Sequence, residues 1–361
     1  MNLFVPDYIV SIEPYSPGKP LEELEREYGI SDSIKLASNE NPLGPSPMAV
    51  EAIKCASDKL NRYPDGSGHD LIDKISEKLK VAPDNIVLGN GSDEIIGMLT
   101  RALLKQGDEV LLPWPSFLMY DIMVRSVGAV PVYVPLKSLS IDLSGIQSRI
   151  TQKTRMVFLC NPNNPTGTVF SKKDFESFLE DIPEIVVVVD EAYIEFVRDK
   201  YCARGVDFLD RDTGVVTLRT FSKAYGLAGI RVGFGVMREE IVRILNKVRQ
   251  PFNVNSLAQA GAIAALGDEA FLKKTLNLVH EGLDFLYDSL ERLGVKYFST
   301  QANFFLIDVK RNADEVFESM LREGVIVRSM RSYGYPEYIR VNVGLAEENV
   351  RFIKALEKVI L

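Results

Sequence analysis

From residue 46 to about 250 the chain alternates short runs of apolar, mostly β-branched residues with longer stretches whose apolar positions recur every three or four residues. The runs fall at 86–88, 109–112, 130–134, 156–159, 185–189, 215–218 and 231–236. Short strands separated by amphipathic helices predict a mostly parallel sheet covered on both faces. The run at 185–189, Ile-Val-Val-Val-Val, has no polar alternation and reads as a strand buried on both sides. Every segment rich in chemically useful side chains follows directly on one of these runs. In open α/β sheets that carboxyl edge is where ligands bind.

The flanks read differently. Residues 1–45 form an arm in which Pro14-Tyr15 and Ser16-Pro17-Gly18-Lys19-Pro20 forbid regular structure, with one short helix over Leu21–Tyr28 stopped by Gly29. Ser46 and Pro47 read as the N-cap and first residue of the next helix. Beyond Pro251 a long helical pattern over 256–293 leads into runs at 303–309, 325–328 and 338–343, a helix over 314–323 and a last helix from Glu347. The expected architecture is α/β, with a large domain over 46–250, a smaller α+β domain over 251–361, and the arm 1–45 packing with the smaller domain.

Composition narrows the function. A chain of 361 residues supplies two cores, and 46% hydrophobic with 25% charged residues is ordinary for a soluble globular enzyme. A net charge of -8 argues against a basic surface for nucleic acid or an anionic membrane. Cys55, Cys160 and Cys202 have no metal-ligand spacing and suit a reducing compartment. With His69 and His280 the only histidines, neither a histidine metal site nor a Ser-His-Asp triad is well supplied, and no metal is expected. No segment approaches the ~20 apolar residues of a membrane span, and residues 1–20 carry no leader pattern, so the chain reads as cytoplasmic.

The densest chemistry lies between the last two runs, in Thr220-Phe221-Ser222-Lys223-Ala224-Tyr225-Gly226 and on to Arg231. A lysine amine with a depressed pKa forms a Schiff base with an aldehyde, and Ser222 and Arg231 are suited to hold a phosphate on that aldehyde. Most turn lysines are simply solvated, so Ser222-Lys223 alone decides nothing. Gly89-Asn90-Gly91-Ser92-Asp93-Glu94 follows a strand and opens a helix, a second place for a phosphate or merely a cap. Glu94 stands where a dinucleotide fingerprint needs its third glycine, which counts against a nicotinamide dehydrogenase. Phe117, after Pro113-Trp114-Pro115-Ser116, offers an aromatic face, whereas Trp114 and Tyr120 suit core or rim equally. Asp190 ends the buried run 185–189, where a carboxylate can pair with a pyridinium nitrogen and keep it protonated. Arg328 and Arg340 each sit at or within a β run, as solvated edges or as one anion pocket.

The run from Ser222-Lys223 to Arg231-Val232-Gly233 resembles the cofactor-lysine segment of fold-type I aminotransferases. With the Arg-Ser-Met-Arg-Ser-Tyr-Gly run at 328–334, it resembles the histidinol-phosphate aminotransferases of class II more than aspartate-type relatives. The resemblance runs from Tyr15 to Gly344 and implies a fold-type I architecture, with a seven-stranded large-domain sheet, built around pyridoxal 5′-phosphate. It implies Lys223 as the cofactor lysine and proton carrier, and Asp190 at the ring nitrogen. Asn164, in Asn161-Pro162-Asn163-Asn164-Pro165-Thr166-Gly167, and Tyr193 would hold the phenolate oxygen, and Phe117 would stack on the ring. Ser92, Asp93, Ser222 and Arg231 would contact the cofactor around its phosphate. Arg340, with Arg328 beside it and Tyr15 closing over, would take the substrate's phosphate or carboxylate. Tyr63, in Asn61-Arg62-Tyr63-Pro64, would reach the cofactor of a partner subunit, implying a homodimer with shared sites. The implied reaction moves an amino group between L-histidinol phosphate and 2-oxoglutarate in histidine biosynthesis. An aromatic amino acid aminotransferase or a threonine-phosphate decarboxylase uses the same scaffold. A non-enzymatic regulator would carry an added nucleic-acid-binding module, for which this chain leaves no room.

Overall fold

The alternating pattern folds into a seven-stranded sheet in the computed structural model, which describes residues 4–15, 18–210 and 214–360. Ser16 and Pro17 of the arm's proline-rich break lie outside the described residues. The strands in chain order are β1 (Ile34–Lys35), β2 (Ile86–Gly89), β3 (Glu109–Trp114), β4 (Val130–Pro135), β5 (Thr154–Cys160), β6 (Val186–Asp190) and β7 (Gly214–Thr220). They continue with β8 (Gly233–Val236), β9 (Lys296–Phe298), β10 (Phe304–Asp308), β11 (Val325–Ile326), β12 (Arg328–Ser329) and β13 (Tyr338–Asn342).

The large sheet has the order β2-β8-β7-β6-β5-β3-β4. β3, β4, β5, β6 and β7 pair in parallel, while β8 is antiparallel to both β7 and β2. Burial explains the unalternated run. Val187 and Val189 enter one hydrophobic cluster and Val188 the cluster on the opposite face, all at 0% exposure. Successive side chains of a strand point to opposite faces, so a strand with helices on both sides is apolar throughout. Each such burial contributes roughly 1.5 kcal/mol or more.

A second sheet, β12-β13-β10-β9, is antiparallel throughout, and β1 pairs in parallel with β11 as Ile34↔Val325 and Lys35↔Ile326. The arm is therefore tied by backbone bonds to the C-terminal part of the chain.

Three expectations need correcting. The helical pattern at 256–293 is two helices, Ser256–Gly267 and Glu269–Leu293. Asp268 leaves helical geometry between them, caps the Phe271 amide and accepts the Ser46 hydroxyl at 2.6 Å. The run at 231–236 becomes a strand only at Gly233, because Arg231 adopts a left-handed conformation with φ 56°. The run at 325–328 is split at Val327, so that β11 joins the arm and β12 joins the antiparallel sheet. Among the described residues no helix is long and apolar enough to cross a membrane.

Candidate active site

Topology brings the chemical segments together. Because β8 is antiparallel to both neighbours, β2 runs in the same direction as β7 and its parallel partners. The chain therefore leaves β2, β3, β5, β6 and β7, and enters β8, at one edge. At that edge Ser92, Asp93, Phe117, Asn164, Asp190, Tyr193, Ser222, Lys223 and Arg231 line a cavity of about 270 Å³, which Tyr15, Arg328 and Arg340 close from the arm and the antiparallel sheet. Twelve of the thirteen residues singled out in the sequence meet there. The thirteenth, Tyr63, does not: it is 82% exposed and stacked on Phe252 with 4.7 Å between ring centroids.

Asp190 ends β6 at 2% exposure. Its Oδ2 accepts the Tyr120 hydroxyl at 2.7 Å and its Oδ1 accepts the Ala192 amide at 3.1 Å. Burial pushes its pKa up to about 6, against the pull of the Tyr120 hydrogen bond. Glu191, the next residue, faces the other way and is paired with Arg219 at 2.8 Å. Of two adjacent acids, the one without a cation partner faces the cavity.

Lys223 follows β7 in a loop where Nζ donates to the Ser38 carbonyl at 2.9 Å and lies 5.8 Å from the centre of the Tyr193 ring. Its pKa falls to about 8, chiefly through burial and then through Arg340, with Arg231 adding to the effect against Glu40 and Asp93. An amine so placed is a stronger nucleophile near neutral pH than a solvated lysine.

The anion cradle lies at the start of β8 and of the helix Ser92–Leu103. Arg231 Nη1 donates to Ser222 Oγ at 3.2 Å and to the Ala228 carbonyl at 3.0 Å, while Nη2 lies 3.7 Å from Asp93 Oδ2. Among the described residues no side chain caps that helix, and Gly91, with φ 76°, precedes it. A Cβ on Gly91 would stand 2.6 Å from Arg231 Nη2, and one on Gly233 would stand 2.7 Å from Ser92 N. The two glycines let the guanidinium, the Ser222 hydroxyl and the helix N-terminus converge on one phosphate-sized anion. Burial raises the pKa of Asp93, and Arg231 and Lys223 oppose that rise.

The antiparallel sheet supplies a second cationic corner. Arg340 of β13 lies directly opposite Arg328 of β12 and is 6% exposed. It donates from Nη1 to Asn164 Oδ1 at 2.5 Å and from Nη2 to the Ala37 carbonyl at 2.7 Å, and among the described residues its Nε has no partner. No carboxylate within the described residues pairs with it, and burial lowers its pKa. A desolvated cation held only by neutral acceptors is poised for an anion from outside the chain. Because Asn164 Oδ1 is occupied, its amide NH₂ is the end left to donate into the cavity. Tyr193 is set in the same way, since its oxygen accepts Asn39 Nδ2 at 3.0 Å and its own proton can be donated elsewhere. Phe117 lines the wall and meets Tyr120 edge-on at 5.5 Å.

The sequence did not distinguish Tyr120, Asn39 or Ser38 as parts of this site. Tyr120 reaches Asp190 across 70 positions and Asn39 reaches Tyr193 across 154. The one local sign was the polar stretch Ser38-Asn39-Glu40-Asn41, which follows Leu36-Ala37 and stops at Pro42.

Known proteins resemble this chain over nearly its whole length. Residues 31–356 match the family model described as aminotransferase class I and II. A histidinol-phosphate aminotransferase of Desulfotalea psychrophila is 51% identical over 99% of this chain and 95% of its own length. One of Moorella thermoacetica is 46% identical over 98% of this chain and 92% of its own. Among solved structures, the histidinol-phosphate aminotransferase of Sinorhizobium meliloti in complex with pyridoxal-5′-phosphate superposes with a TM-score of 0.92 at 26% identity, covering 100% of this chain and 98% of that one.

Proposed function

Because the chain belongs to the class I and II aminotransferase family, we propose that it moves the amino group between L-histidinol phosphate and 2-oxoglutarate, with pyridoxal 5′-phosphate held at Lys223. The residues fit that cofactor: an amine of lowered pKa, a carboxylate without a cation partner, an aromatic wall and a cradle that two glycines keep open. Ser222, Arg231 and the N-terminus at Ser92 would hold its phosphate, Asp190 its ring nitrogen, Asn164 and Tyr193 its phenolate oxygen, and Phe117 its ring face. When bound, the cofactor supplies an aldehyde that bonds to amines and a ring that accepts the electron pair left as the substrate carbon loses its proton.

The chain's own residues do the rest. Asp190, ionised, favours a protonated ring nitrogen. Lys223, once its amine is free, takes the proton from the substrate carbon and returns it nearby. Arg340 orients the substrate through its anionic end, with Arg328 on the neighbouring strand and Tyr15 at the mouth. The observation that carries the substrate class is Arg340 itself, buried, without a carboxylate partner and with Nε unused. The exposed Tyr63 and Phe252 pair belongs to a homodimer interface in this reading, with Tyr63 reaching the partner's cofactor. A cytoplasmic location fits the three free cysteines.

Absorbance tests the proposal. Protein loaded with pyridoxal phosphate should lose its visible band on adding L-histidinol phosphate and regain it on adding 2-oxoglutarate. A band that ignores L-histidinol phosphate but responds to phenylalanine or tyrosine would move the assignment to an aromatic aminotransferase. No cofactor bound after reconstitution would overturn it.

A further inference from the structure

Tyr120 touches both sides of the proposed ring site while belonging to no motif. It sits in the first turn of the helix Met119–Ser126 at 1% exposure, so its hydroxyl is withdrawn from water. That hydroxyl donates to Asp190 Oδ2 at 2.7 Å. Its ring is clamped by Phe158 of β5, stacked at 4.7 Å with 10° between planes, and meets Phe117 edge-on at 5.5 Å and 86°. One rigid side chain thus contacts both the acid proposed for the ring's edge and the aromatic proposed for its face.

We infer that Tyr120 is a positioning residue: its hydroxyl holds the Asp190 carboxylate toward the ring nitrogen, and its ring sets the angle of Phe117. The inference rests on the preceding reading that pyridoxal phosphate occupies this cavity. Among the described residues Asp190 has one other donor, the Ala192 amide at 3.1 Å, so the phenol supplies half of the hydrogen bonds it receives there. The like charges of Asp93 and, on the other side of the strand, Glu191 oppose ionisation of Asp190, while Tyr120 is the strongest influence favouring it. The thiol of Cys160 and the phenol of Tyr193 are also near, and burial keeps both neutral. Tyr120 itself stays protonated, because burial and the Asp190 charge hold its pKa well above the ordinary tyrosine value. It therefore remains a donor across the pH range in which the carboxylate gains its charge.

The test is Tyr120→Phe in the full chain, which removes the donor and keeps the ring. Titration with pyridoxal phosphate should give a dissociation constant raised about tenfold, the loss of one hydrogen bond to a charged group. The pH below which binding weakens should move upward, and kcat should fall with KM for L-histidinol phosphate near the wild-type value. Tyr120→Leu should in addition change the circular dichroism of the bound cofactor, which reports ring orientation. If Y120F melts below wild type, a double-mutant cycle with D190N separates folding from positioning. Beside a neutral amide, the hydroxyl's removal should cost little further affinity. Equal losses in both backgrounds, or a Y120F protein with wild-type affinity and pH dependence, would overturn the inference. Wild type is titrated first, so a failure of cofactor binding there is read against the functional proposal and not against Tyr120.

Discussion

At the scale of single residues, the site is built from ionisable groups held away from their ordinary states. Lys223 is a half-buried residue whose amine donates to a neutral carbonyl, and its pKa falls from 10.5 to about 8. A folded-state pKa below the unfolded one means that the unfolded chain binds the proton more tightly. The penalty on folding is thus complete below pH 8 and vanishes as pH rises to 10.5. Lys223→Met is therefore expected to melt higher than cofactor-free wild type at pH 7, with the gain shrinking above pH 8. Its turnover should fall by about a thousandfold or more, since both nucleophile and proton carrier are lost. Differential scanning calorimetry and a transamination assay check the two halves. Asp190 titrates near 6, raised by burial, and only its ionised form holds a cationic ring nitrogen. Cofactor affinity should decline as pH drops through 6 by up to about tenfold per unit. In Asp190→Asn affinity should be low throughout, with a shallower slope from the cofactor's own phosphate. Fluorescence titration at several pH values decides it.

At the scale of elements, function depends on how closely strand ends approach one another. β8 enters the sheet beside the N-terminus of the helix Ser92–Leu103, and a Cβ on Gly233 would meet Gly91 C and Ser92 N, each at 2.7 Å. All of those neighbours are backbone, so no rotamer change relieves the clash. Gly233→Ala is expected to cost about 1–3 kcal/mol of stability. It should weaken cofactor binding more than substitution of an uncrowded glycine outside the cavity lining such as Gly267, whose added Cβ meets nothing within 4 Å. Urea unfolding and cofactor titration of the two variants check this. The strands themselves were legible in the sequence, because a segment buried on both faces has no choice but to be apolar, as 185–189 shows. Their exact ends were not. Arg231 was read into a strand because arginine gives no sign of the left-handed backbone that the cradle imposes on it. The break at Asp268 was signalled by Gly267-Asp268, a helix stop followed by an N-cap, and was hidden by apolar periodicity continuing on both sides. Motifs marked Lys223, Asp190 and Arg340 because each sits in a local run with its own chemistry. Tyr120 and Asn39 act through contacts that only the folded sheet creates.

At the scale of the whole molecule, the cavity is assembled from three parts of the chain. The large sheet gives the cradle and the acid, the antiparallel sheet gives Arg328 and Arg340, and the arm, bonded through β1 to β11, gives Ser38 and Tyr15. Tyr63 is the one expected contributor left outside, an exposed ring stacked on the exposed Phe252. An exposed pair of stacked aromatic rings suits an interaction surface, and closed twofold symmetry is the commonest way to cover one. The expected solution mass is twice 40.4 kDa by light scattering. Sharing of sites between protomers makes a sharper demand. Lys223→Met and Tyr63→Ala should each be nearly inactive or weakened as pure dimers. In a dimer containing one of each, one site combines the intact lysine of the second with the intact tyrosine of the first. Unfolding and refolding the two together should restore about one working site in four, the fraction random pairing gives under twofold symmetry. Activity equal to the average of the two separate variants would mean that Tyr63 serves its own subunit or none, while the mass measurement would still report independently on whether the exposed aromatic surface is buried between copies.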